Sequence, residues 1–162
     1  MSKPAKFGSK DVFQSAIRTV FFTFSLLGLP VIFVPLLLYL LWFEPSLALK
    51  TSMIVAANEL VCGAIKLIYK KERPVPMPAK NLFQLYNAGG FPSIHTARIT
   101  VFAAITGLLS KNPTIIAAGI FLIAAVASSR VYLKKHDWID VLGGFAIGAL
   151  ISAAAMAKGL IA

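Results

Sequence analysis

His136 and Asp140 stand four residues apart in "KKHDWID", a short way after Arg130. On one face of a helix, a carboxylate at that spacing can accept the Nδ1 proton of an imidazole. That fixes the tautomer and frees Nε2 to attack an electrophile. Arg130 adds a planar donor matched to phosphate oxygens. A second cluster lies in "FPSIHTAR". Pro92 followed by Ser93 reads as a helix start, where unpaired backbone N–H groups and the helix dipole favour an anion. His95 then falls in the first turn and Arg98 one turn later. The third cluster, "KLIYKKERP", carries Lys66 and Arg73. Each has a plainer reading when taken alone. An Asp-oriented His is often structural or a metal ligand, a lone His is usually structural, and Lys66 and Arg73 suit snorkelling and membrane anchoring. Taken together, two histidines ringed by cations suit an oxyanion substrate. They suit a metal ion poorly, because carboxylates are few and the excess of cations repels a metal.

The elements that must carry these residues are apolar. Mean hydropathy is +0.80, with 58% hydrophobic and 14% charged residues, against a soluble average of roughly 25% charged. Five apolar segments approach the roughly 20 residues that cross a bilayer as a helix. They are Val20 to Phe43 (with Pro30 and Pro35 as kink candidates), Thr51 to Tyr69, Ser93 to Ser110, Pro113 to Leu133 and Asp140 to Ala157. The expectation is therefore all-α: a polytopic membrane helical bundle of about five transmembrane helices. Residues 1–18 form a basic interfacial segment and residues 19–162 a single membrane-embedded domain. The last segment contains "GFAIG", Gly144 to Gly148, a small-residue face for close helix packing. Cys62 is the only cysteine and lies in an apolar run, as a buried small side chain would. No cleavable signal peptide is expected, because the first apolar run is long and lacks a small-residue cleavage site.

The formal charge of +10 does not point to nucleic acid, which is bound by a soluble basic face. Here the cations cluster at the ends of apolar segments. With five spans, Lys50, Lys111 and Lys158 fall on one side and the other thirteen of the 16 Lys and Arg on the opposite side. That bias predicts a cytoplasmic N-terminus and a cytoplasmic site.

The arrangement Lys66-x6-Arg73-Pro74, then Pro92-Ser93-x-His95, then Ser129-Arg130-x5-His136-x3-Asp140 resembles the three-part signature of the type-2 phosphatidic acid phosphatases. These form the membrane branch of the vanadium haloperoxidase superfamily. The resemblance spans Lys66 to Asp140 and implies the superfamily's helical core. The family usually has Gly where this chain has Ile94; Ile94 keeps its N–H as a phosphate donor, but its side chain must turn away.

The resemblance implies a phosphatase of lipid phosphates or diphosphates that works without metal or other cofactor. His136 is then the nucleophile that forms a phosphohistidine, Asp140 orients it, and His95 acts as general acid and then base. Lys66, Arg73, Ser93, Ile94 and Arg130 bind the phosphate. Polyprenyl diphosphates, phosphatidylglycerol phosphate, phosphatidate and polyprenyl-linked sugar phosphates are the implied substrates, and the bilayer is the implied surrounding. Two copies could associate, but nothing in the sequence sets the oligomeric state. Glu59, inside the second span two turns before Lys66, is expected either to pair with Lys66 or Arg98 at the back of the site or to pack there protonated. Arg98, Lys134 and Lys135 exceed the signature. A second phosphate is one use for them, although Lys134 and Lys135 suit membrane anchoring, and Asp137 reads as a surface residue. Leu82, Phe83, Leu85 and Tyr86 suit an interfacial gate for lipid entry. The alternative is a non-catalytic membrane protein that binds anionic headgroups.

Overall fold

A computed structural model of the chain describes residues 9–78 and 80–161. Lys3 and Lys6 of the basic N-terminal segment lie outside the described residues, as do the side chains of Leu82 and Phe83. Among the described residues there are seven α-helices and no strand: α1 (Ser9–Leu26), α2 (Phe33–Phe43), α3 (Pro45–Ile68), α4 (Leu82–Ala88), α5 (Ile94–Ser110), α6 (Pro113–Tyr132) and α7 (Trp138–Ala157). A 3-10 turn, Pro30–Ile32, separates α1 from α2.

All five apolar segments are helical. α3, α6 and α7 are each long and apolar enough to cross a bilayer, since 20 residues rise about 30 Å. α5 is a shorter apolar helix of 17 residues. The first segment is bent where Pro30 was expected to kink it: α1 and α2 meet at 64° across a break, and the pair together is long and apolar enough for one broken span. Pro30 opens the 3-10 turn at that break, where its missing N–H is least costly. Pro35 falls in the first turn of α2 and bends nothing. α1 itself runs unbroken through residues 18 and 19.

Sequence punctuation accounts for most helix ends. Asn112 caps α6 by accepting from the Thr114 N–H at 2.9 Å, and Pro113 occupies the first helical position. α5 ends at Lys111 in the left-handed region, φ 50°. Asn81 caps α4, a short helix between the second and third apolar segments. Large apolar side chains such as Trp42, Leu60, Ile68 and Leu150 face outward. A bilayer covers such a surface without the penalty that water would impose.

α5 is the central helix and packs against α3, α6 and α7. Phe33, Ile54, Val101, Ile105 and Ala155 form the main core. The α5–α7 contact is close because the "GFAIG" face meets it. A Cβ at Gly144 would collide with the Ser93 carbonyl oxygen, and one at Gly148 would lie 2.7 Å from the Ala97 carbonyl oxygen. The obstacle in both cases is backbone, which cannot swing aside. At this crossing the Ser93 N–H donates to the Asp140 carbonyl at 2.8 Å, so the two helix starts are fastened together. Gly144→Ala should therefore cost about 1–3 kcal/mol, as overpacking does. A thermal unfolding midpoint equal to that of the parent protein would contradict this account of the crossing.

Candidate active site

His136 is positioned by the end of α6. Lys134 takes the left-handed conformation, φ 53°, which folds the chain back over the last helical turn. The Arg130 carbonyl then accepts from the backbone N–H groups of Lys135 (3.0 Å) and His136 (3.2 Å), closing the helix as left-handed caps do. Arg130 and His136 are thus joined through the backbone before their side chains act. α7 begins immediately afterwards with a capping box. Asp137 Oδ1 accepts from the Asp140 N–H at 2.9 Å, and Asp140 Oδ2 accepts from the Asp137 N–H at 3.0 Å.

One expectation from the sequence is corrected here. His136 and Asp140 do not share a helical face, because His136 precedes the N-cap and Asp140 is the third helical residue. Asp137 is a surface residue, as expected, and also forms that N-cap. His136 Nδ1 nevertheless faces Asp140 Oδ2 at 3.4 Å. That separation is within ion-pair range but long for a hydrogen bond, and neither ring nitrogen of His136 has a hydrogen-bond partner. Burial holds the His136 imidazolium well below the usual histidine value, to about 4. Asp140 opposes this shift, while Arg130, Arg73 and Lys66 reinforce it. The ring is therefore neutral near pH 7, with Nε2 unengaged.

The other clusters reach the same place. Ser93 stands at the N-cap position of α5 and is fully buried, its Oγ accepting from Thr96 Oγ1 at 3.1 Å and making no bond to the helix backbone. His95 in the first turn lies within the fields of Arg130, Arg98, His136 and Arg73. Lys66, at the end of α3, is buried and donates to the Gly89 carbonyl at 2.6 Å. Arg73 sits in the following loop and reaches Met77 Sδ at 3.5 Å. Ile94 buries its side chain in a cluster with Cys62 and Ala97. Among the described residues, seven buried side-chain polar atoms have no hydrogen-bond partner. Five of these are Arg73 Nε, His95 Nδ1, Arg130 Nε and the two nitrogens of His136. Buried polar groups are normally paired, and five of the seven exceptions fall in the three clusters.

Arg98 belongs to the supporting structure. Glu59 clamps it with two contacts of 2.6 Å, Nε to Oε1 and Nη2 to Oε2, the fork geometry that makes such pairs strong. Arg98 Nη1 also points at the Gly28 carbonyl, 3.4 Å away. Glu59 thus pairs with Arg98 and not with Lys66, and Arg98 is not free to hold a second phosphate.

Three participants went unrecognised in the sequence. Ser25 accepts from Arg130 Nη1 at 2.5 Å. Gly28 lies against His95, where a Cβ would come within 2.5–2.9 Å of the histidine's Cβ, Cδ2 and Cγ. Lys71 donates to Asp137 Oδ2 at 2.6 Å and to Asp140 Oδ1 at 2.7 Å. A hydroxyl in "FFTFSLLGLP" and a glycine just before Pro30 were the available signals for the first two. Lys71 looked like one more anchor in a basic run.

The model of the PAP2 superfamily matches residues 47–159. The chain belongs to the PAP2 superfamily. The dolichyldiphosphatase of Saccharomyces cerevisiae is 29% identical over 126 residues, covering 69% of this chain and 53% of that protein. The chain thus spans about half the length of the curated relative it matches. Its fold is that of two solved structures. The transmembrane PAP2-type phosphatidylglycerolphosphate phosphatase from Bacillus subtilis superposes with a TM-score of 0.73 at 21% identity, over 89% of this chain and 77% of that one. LpxE of Aquifex aeolicus gives 0.73 at 20% identity, over 88% and 86%. With its apolar helices, this PAP2 chain is an integral membrane protein.

Proposed function

We propose that the protein hydrolyses lipid phosphates or diphosphates at the membrane edge through a phosphohistidine intermediate. The observation that carries this reading is His136: buried, neutral, faced by Asp140 on Nδ1 and unengaged on Nε2, among cations with unpaired donors. In the first step Nε2 bonds to phosphorus as the bond to the leaving oxygen breaks, and His95 supplies the proton that oxygen needs. The imidazole becomes cationic, and Asp140 stabilises it. In the second step His95 takes a proton from water, the new P–O bond forms, and the P–N bond breaks to release phosphate. Lys66, Arg73, Arg130, the Ser93 hydroxyl and the Ile94 N–H hold the equatorial oxygens as charge redistributes.

The site lies at the ends of apolar helices, so an amphiphile can reach it by lateral diffusion with its tail still in lipid. A polyprenyl diphosphate or a phospholipid phosphomonoester fits this arrangement, in keeping with a dolichyldiphosphatase and a phosphatidylglycerolphosphate phosphatase among the relatives. The charge bias favours a cytoplasm-facing site. The test is phosphate release by purified protein from a panel of lipid mono- and diphosphates. Turnover of at least one is expected, and sealed inverted vesicles should hydrolyse an impermeant short-chain analogue without detergent. Binding of the panel without any release would leave headgroup recognition as the function.

A further inference from the structure

Asp140 carries two contacts that differ in kind. Oδ2 faces His136 Nδ1 and accepts the Asp137 N–H, while Oδ1 accepts from Lys71. The carboxylate is fully buried and so must be neutralised. In the resting protein Lys71 does this. Its ammonium bridges Asp137 and Asp140 and joins the loop after α3 to the start of α7. The same loop is tied further in, because the Gly90 N–H donates to the Lys71 carbonyl at 2.7 Å.

We propose that Lys71 is a positioning residue for His136, acting through Asp140. Its ammonium holds the carboxylate in register and offsets its charge, so that Asp140 orients the imidazole yet leaves it neutral. The inference rests on the phosphatase reading for its consequence and on the bridging geometry for its content. The charged and titratable groups facing His136 are Asp140 on α7, Arg130 on α6, His95 on α5, Lys66 on α3 and Arg73 on the loop. Asp140 is the only carboxylate among them, so whatever offsets Asp140 controls the one attraction that favours the imidazolium. Without Lys71, Oδ1 loses its partner while the Asp137 N–H still holds Oδ2 near His136. The pull on the Nδ1 proton then grows, and His136 binds a proton at higher pH.

The test compares wild type with Lys71→Met, with Lys71→Gln, which keeps a donor for both carboxylates, and with Lys71→Arg, which keeps the charge. The chain holds two histidines. Full-length protein labelled with 15N-histidine and purified without a histidine tag therefore gives two imidazole titrations, assigned with His95→Asn. In the Met and Gln variants the His136 midpoint should rise by about one pH unit, the effect of losing a nearby cation. The acid limb of kcat/KM for the best lipid phosphate should rise with it, and Lys71→Arg should restore both. A residue that only braced the loop would lower the rate with the midpoint unmoved, and an unmoved midpoint in both neutral variants overturns the proposal. If wild type releases no phosphate from any lipid, the phosphatase reading fails, and the imidazole titration alone still decides the role of Lys71.

Discussion

Replacing His136 with alanine should abolish phosphate release, a loss of about 10⁴-fold or more, as expected when a nucleophile is removed. The folded structure should survive. The bond that fixes this turn runs from the backbone N–H of residue 136 to the Arg130 carbonyl, and alanine can make it equally well. The imidazole nitrogens make no hydrogen bonds to be lost. Asp140 retains Lys71 and the Asp137 N–H as partners. A melting curve close to wild type with turnover at the assay floor is the expected pair of results. Wild-type-like turnover by this variant would remove His136 from the mechanism.

The second large effect is on stability. Glu59→Ala should destabilise the protein by about 3 kcal/mol, because it strands the Arg98 guanidinium in a buried position. Glu59→Gln keeps one acceptor and should lose less. Removing both charges, as Glu59→Leu with Arg98→Met, should recover most of the stability, since two apolar side chains need no partners. The check is thermal unfolding of the four proteins in one detergent. A single-alanine variant as stable as wild type would mean that Arg98 finds another partner. Activity should fall with the clamp as well, since Arg98 lies one turn from His95 and reaches toward Gly28.

The clusters with chemical content were legible because they are local. Ser93 and His95 share one helical turn, and Arg130, His136 and Asp140 occupy eleven consecutive residues. Their residue types were therefore readable even where the geometry differed. The His136–Asp140 pair was expected on one helix face, and it meets across an N-cap. The Glu59–Arg98 contact was legible as one of three options, since a carboxylate inside a span must find a cation or a proton. Ser25 and Lys71 were not legible. Ser25 lies 105 positions from Arg130, and Lys71 lies 66 and 69 positions from its two carboxylates. Nothing in the local pattern of an apolar run or a basic loop identifies such partners. The break between α1 and α2 was half legible: Pro30 signalled a disturbance, but the 64° angle depends on where α1 finds its packing against α6.

That break has a consequence for how the protein can be cut down or recombined. The family match begins at residue 47, and a fragment excised there would keep every signature residue. It would also discard Ser25, on which Arg130 rests, and Gly28, whose backbone walls the His95 ring. The smallest transplantable unit therefore starts upstream of Ser25. A chimera that joins the helices of this chain to the leading segment of another member would inherit the donor's fit around both residues.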